Sequence, residues 1–453
     1  MVDLGISYFG RLNLNLLNYR QIGICKRDER KMKTPLFSEY SRLFQASREK
    51  SNVIRMEIQL CDPIDGAALR RAVDTTIKRY PYFAVMLQKE ENTFYFRENE
   101  RSVTVSNSEQ GVSLNSDASG YHLLAFAWQM NTIYVDVFHA LTDGTGMMEM
   151  IRTLLYYYCT DHYEVEMSTQ GIRLVGDSIS PEEWDDPAVK LEPALNLTDH
   201  SGVLPALNLT ELSHAQADRT KTVFGITMDE TAFMRFCSEH DGSPGTMTAL
   251  LLSRAIASVH PDLKQSVRIC LCVNQRKALR APKAHQSLVG WAWLEYKEKM
   301  HTWPLTRQAT AFRGMVFAQT LDENVLKNQL MMNRNCQVLQ SLKTDEERVA
   351  FVNNDDAYLS SVLTATVSYV GKADFGDAEP YIIGFRTLAY PMVEGILIEI
   401  SAVNHRISLD FMQNFSSPIY VESLLNVLEE NDIPYLFHGG KQLYIPGVEL
   451  PWL

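Results

Sequence analysis

The segment "VDVFHALTDGTGM", Val135–Met147, decides the fold. It completes an alternation that runs through "TIYVDVFH". In a strand, Ile133, Val135 and Val137 lie on one face, and Tyr134, Asp136 and Phe138 on the other. His139 falls by parity with the valines, at the point where the chain leaves the sheet. A side chain there reaches into a crevice from a rigid backbone. Imidazole has an ordinary pKa of ~6.5, so it suits proton removal from a hydroxyl, amine or thiol. Two jobs fit Asp143: orienting the imidazole as in a triad, or pairing with a cation that locks the loop. Gly144 reads as a turn position that a Cβ would penalise, opening a helix near Thr145. Spacing alone does not separate this from an ordinary structural histidine.

The neighbouring sequence predicts what the strand packs against. "YHLLAFAWQMNTIYVDVFH" reads as a hairpin with its turn at 129–132. "NVIRMEIQL" (52–60) is a further strand. Leu69, Ala72 and Val73 stand at helical spacing, in a helix that Pro81 ends. "FAVMLQKEENTFYFRE" is another hairpin. In the second half, a strand at 221–228 precedes a helix capped by Asp229 and stopped by Gly242. A buried helix starts in "SPGTMTALLLSRAIASVHP", and a strand in "SVRICLCVN" leads to the basic loop "QRKALRAPK". "LTATVSYVGKADF" (363–375) is a strand, and "ILIEISAVNHRISLDFMQN" a hairpin turning near Asn404. A late helix follows in "SPIYVESLLNVLEENDI".

Each half mixes strands and helices, so the expected class is α/β, in layered α+β form. The boundaries expected are an extension over 1–32, a first half-domain over 33–175, a Pro-rich crossover over 176–213 and a second half-domain over 214–453. Met32 follows the charge run "KRDERK", and a functional start there is one reading of the first ~30 residues. "PALNLT" occurs at 193–198 and 205–210, too short to make a repeat architecture. A cleft between two such halves is a usual ligand site.

The net charge of −12 argues against a nucleic-acid partner, which needs a basic footprint. There is no run of 18 apolar residues, so no membrane span is expected. The seven cysteines are scattered and show no metal-binding spacing. Reduced, buried thiols in a cytoplasmic protein with no bound cofactor are the expectation.

His139-Ala-Leu-Thr-Asp143-Gly144 resembles the His-x-x-x-Asp-Gly signature of the CoA-dependent acyltransferase superfamily. That group includes chloramphenicol acetyltransferase, the BAHD plant acyltransferases, alcohol acetyltransferases and the condensation domains of peptide synthetases. "LRRAVDTTIKRYPYF" (69–83), "GTMTALLLSRAIA" (245–257) with "VNQR" (273–276), and "TVSYVG" (366–371) resemble further family segments, in the family's order. The resemblance spans ~35 to ~420. It implies two half-domains of chloramphenicol acetyltransferase type in a pseudo-twofold V, with a central tunnel. It implies that His139 is the general base, that acyl-CoA is the co-substrate, and that Asp143 points away from the site into a salt bridge with Arg79. The acceptor would be a small alcohol or amine. Phe138 replaces the first histidine of the condensation-domain motif, and "ADFGD" (373–377) is only a fragment of the BAHD C-terminal motif. Both departures point to the alcohol acetyltransferase branch. A carrier-protein acyl donor and a non-catalytic member of the fold are the alternatives.

Attack on a thioester creates an oxyanion that needs a positioned donor. Thr364, Thr366 and Ser368 share one strand face, and Ser368, then Thr366, are the candidates. These hydroxyls equally suit bonds to nearby backbone. Arg276, Lys277, Arg280 and Lys283 form a basic loop that fits either CoA phosphates or a solvated face. Trp291 and Trp293 either line the tunnel or pack.

Overall fold

Alternation and capping explain most elements of the computed structural model. It describes residues 33–35, 39–47, 50–91, 93–191, 203–209, 220–262, 264–391 and 395–450. The proposed extension over 1–32 and the first "PALNLT" copy lie outside them. In chain order, β1 (Lys33–Pro35), α1 (Tyr40–Gln45), β2 (Val53–Leu60) and α2 (Gly66–Arg79) come first. The Asp65 carboxylate caps α2 by accepting from the Ala67 and Ala68 amides at 2.8 and 3.2 Å. The helix buries Leu69, Ala72 and Val73, as their spacing requires, and ends before Pro81. β3 (Val85–Glu90), β4 (Thr93–Glu98), β5 (Val105–Asn107), β6 (Leu124–Gln129) and β7 (Thr132–Phe138) follow, then α3 (Gly144–His162).

The second half contributes β8 (Thr222–Asp229), α4 (Glu230–Glu239), α5 (Pro244–Val259), β9 (Val267–Asn274) and β10 (Val289–Tyr296). Three consecutive helices come next: α6 (Leu305–Gln319), α7 (Asp322–Ser341) and α8 (Asp345–Val362). β11 (Ala365–Lys372), β12 (Ile382–Leu388), β13 (Ile396–Val403), β14 (Arg406–Gln413), α9 (Ile419–Glu430) and β15 (Leu436–Gln442) complete the order. Asp229 caps α4, and the β13–β14 turn falls at Asn404 and His405, as expected.

Two large sheets organise these elements. The order β12-β2-β7-β6-β5 makes the first and β10-β9-β11-β13-β14-β8-β15 the second; β1-β4-β3 form a small third sheet. The division at 176–213 is crossed, because β12 leaves the second half to pair with β2. The tail crosses too, since Leu443, Ile445, Val448 and Leu450 pack into the first core. A second core surrounds α5, which is apolar nearly all round, as a helix laid on a buried sheet should be. β7 sits at the centre of the first sheet. Its Asp136 lies opposite Arg55 of β2, and the two form a buried ion pair at 2.7 Å.

Among the described residues no helix is long and apolar enough to cross a membrane, and no group of His, Cys, Asp and Glu is placed to hold a metal. The described cysteines are free thiols. Cys61 departs from the expectation by being exposed. Trp291 and Trp293 pack against Cys270, Leu359 and Val362.

Candidate active site

β7 delivers His139 to the seam between the two large sheets. The His139 amide donates to the Asn52 carbonyl at 2.9 Å, so the backbone is fixed where the strand ends. Its ring Nδ1 lies 3.0 Å from the Thr142 carbonyl oxygen. A carbonyl only accepts, so Nδ1 carries the hydrogen and Nε2 keeps its lone pair. Burial pushes the imidazole down to about 3, and the nearby Arg42 guanidinium adds to this against the pull of Asp143. The neutral, Nδ1-protonated form is therefore the resting one.

Sequence reasoning missed Arg42. It sits on α1, donates from Nε to Glu39 Oε2 at 2.9 Å, and is nearly buried. Burial raises Glu39 to about 7 in spite of that partner. Arg42 three residues after Glu39, in "EYSR", was the available signal.

Asp143 does not orient the imidazole, because Thr142 already holds Nδ1. Its carboxylate is saturated elsewhere. It caps α3 by accepting from the Gly146 amide at 2.7 Å. It takes Arg276 bidentately, Nη1 to Oδ2 at 2.9 Å and Nη2 to Oδ1 at 2.8 Å. It also accepts from the Leu288 amide at 2.9 Å. The expected clamp is thus present, and its cation needs correcting from Arg79 to Arg276. Arg79 instead grips Glu183 through two bonds of 3.0 Å, and the Tyr82 hydroxyl donates to the same carboxylate at 2.8 Å. The reason is reach. α2 ends beside the connecting segment that carries Glu183, whereas the loop after β9 doubles back onto the start of α3.

This also corrects the donor-site reading of Arg276. It is 4% exposed, and donates to the Ala284 and Gln286 carbonyls besides Asp143, leaving little for a phosphate. Lys277 and Arg280 are exposed on the same loop.

Gly144 needs a different explanation from the one its sequence position suggests. It opens α3 without a positive φ. A Cβ on it would lie 2.7 Å from Val370 Cγ2, so the glycine admits β11 against the helix. Gly146 is tighter, its Cβ falling 2.1 Å from the His285 carbonyl oxygen. Gly146→Ala should cost more stability than Gly144→Ala, because backbone yields less than a valine methyl. Overpacking typically costs about 1–3 kcal/mol, and thermal melts of the two variants would rank them.

Val370 shares its strand face with Thr366 and Ser368. That face is turned away from the core that holds Ala365 and Val367. Ser368 is half-buried, within hydrogen-bonding reach of the Cys272 thiol and the Glu399 carboxyl. Thr366 is 9% exposed. Thr364 takes the bland role, accepting from the Arg268 amide at 3.1 Å. Through Gly144 and Val370, the loop that follows His139 packs on this hydroxyl-bearing strand.

No protein-family model and no curated protein sequence matches the chain. Solved structures do. Polyketide synthase associated protein 5 from Mycobacterium tuberculosis aligns over 88% of this chain and 98% of its own, with 14% identity and a TM-score of 0.60. TRI101 of F. sporotrichioides, solved with coenzyme A and T-2, aligns over 90% and 100%, with 12% identity and a TM-score of 0.59. The epimerization domain from the third module of tyrocidine synthetase B aligns over 88% and 96%, with 10% identity and a TM-score of 0.55. The chain therefore has the mixed α/β, two-domain fold that these structures share.

Proposed function

We propose that the protein transfers an acyl group, acetyl in the simplest case, from a CoA thioester to a small alcohol or amine. The observation that carries this is the His139 imidazole, held neutral with Nδ1 bonded to Thr142, in a fold shared with an enzyme crystallised with coenzyme A. His139 Nε2 takes the acceptor's proton as its oxygen or nitrogen attacks the thioester carbonyl carbon. The Ser368 hydroxyl donates to the resulting oxyanion. The C–S bond then breaks, and the thiolate recovers the proton from Nε2. Asp143 and Arg276 hold the loop that carries the base. Lys277 and Arg280 are the exposed cations left to meet the phosphates. Nothing in this sequence of steps requires a covalent acyl-enzyme.

The low His139 pKa gives a pH test. The base works unprotonated, and protonation is postponed from ~6.5 to about 3. The acid side of the kcat/KM profile is therefore flat between about pH 5 and 7. An ordinary imidazole would lose about tenfold per unit below ~6.5. Release of free thiol from acetyl-CoA, followed with a panel of alcohols and amines, measures both activity and profile. A fall of that size between pH 6.5 and 5 would contradict the assigned environment.

A further inference from the structure

The strand face that carries Ser368 continues across the second sheet as a polar row. Register places Ser368 opposite Glu399 of β13, and Glu399 opposite Asp410 of β14. Cys272 of β9 flanks Ser368 on the other side. β12 lies over this face, as the Ser401 hydroxyl shows by donating to the Phe385 carbonyl at 2.6 Å. From β12, Arg386 Nε donates to Asp410 Oδ1 at 2.7 Å, and Nη1 reaches Glu57 of β2 at 3.3 Å. The cation of the row is thus engaged at its far end, one strand beyond Glu399.

Glu399 itself is 9% exposed, and its Oε2 is buried with no hydrogen bond closed on it. Among the described residues no ion pair reaches it. The groups that face it are Ser368 from β11, Cys272 from β9 and Asp410 from β14, with Arg386 and Glu57 beyond Asp410. A carboxylate there would be buried beside a second acidic group with no cation of its own, which favours the protonated form. Burial, then Asp410, raise Glu399 to about 8 against the opposing Ser368 contact.

The protonation state decides what Ser368 can do. A serine hydroxyl has one hydrogen and two lone pairs. An ionised Glu399 would take that hydrogen. A neutral Glu399 donates its own hydrogen to Ser368 Oγ and leaves the serine hydrogen free for the seam. We propose that Glu399 is a positioning residue whose neutral carboxyl donates to Ser368 and aims the Ser368 hydrogen at the thioester oxygen. This rests on the acyl-transfer reading above. It adds an alkaline limit to the reaction, because ionisation of Glu399 turns the serine hydrogen away from the oxyanion.

The test combines infrared spectroscopy with turnover on the full chain, using wild type, Glu399→Gln and Ser368→Ala. The expected spectrum of wild type at pH 7 contains a protonated-carboxyl C=O band that titrates away near the value of about 8. Glu399→Gln lacks the band, and Ser368→Ala shifts it. With acetyl-CoA, wild type slows as pH rises through that range. Glu399→Gln still donates but cannot ionise, so it keeps its rate within about threefold there, against the ~10²–10³-fold cost of losing an oxyanion donor outright. Absence of the band at pH 7, a band that Ser368→Ala leaves unmoved, or an unchanged alkaline limb in Glu399→Gln would overturn the proposal. If no variant turns over acyl-CoA, the acyl-transfer reading fails, and the infrared result still decides whether a neutral Glu399 is bonded to Ser368.

Discussion

If His139 is the proposed general base, His139→Ala is expected to lower turnover of acyl-CoA by about 10²–10⁴-fold, the range that such a base contributes. The fold should survive the change. The side chain makes one hydrogen bond, from Nδ1 to the Thr142 carbonyl, and a neutral bond of that kind contributes about 0.5–1.5 kcal/mol. The backbone anchor to Asn52 does not depend on the side chain. Rate and stability therefore separate: kcat collapses while the melting temperature moves by a few degrees at most. His139→Gln, which retains a donor for Thr142, should be as inactive and closer to wild type in stability.

The opposite pattern is expected at the clamp. Asp143→Ala or Arg276→Ala strands a buried charge, which costs about 3–5 kcal/mol. Both side chains are at most 5% exposed, so solvent cannot compensate. Asp143→Ala also removes the α3 cap, worth about 1 kcal/mol. The double variant should cost little more than either single change, because the second substitution removes the stranded partner. Arg79→Ala should instead add to Asp143→Ala, since Arg79 is committed to Glu183. Chemical denaturation of the single and double variants measures this cycle. Coupling of Asp143 to Arg79 rather than to Arg276 would contradict the geometry.

How far the sequence reveals this site depends on how local each feature is. The alternation of β7 and the position of His139 at its end follow from residues that are neighbours in the chain. The cap by Asp229 and the turn at Asn404 are equally local. The partner of Asp143 is not. Arg276 lies 133 residues away, and a cation at that distance is chosen by how a loop folds back, which periodicity does not encode. The resemblance to the superfamily pointed to a salt bridge but attached it to the wrong arginine. Gly144 shows a similar limit, because its role comes from Val370 on a distant strand and not from its own backbone angles. The sequence pattern does not announce the α6, α7 and α8 helices; each leaves most of its surface partly exposed, so their apolar stripes are weak. β12 was likewise invisible. Its sequence, "IIGFRTL", is short, and nothing in it says that it will join the other half's sheet.

In the proposed reaction His139 removes the acceptor's proton in a direct transfer from CoA. This is tested most directly by thiol release from acetyl-CoA, run side by side with wild-type protein and His139→Ala across the acceptor panel. Acceptor-dependent release is expected in wild type, matched mole for mole by acylated acceptor, with release reduced at least ~10²-fold in the variant. Equal rates in the two proteins would contradict it.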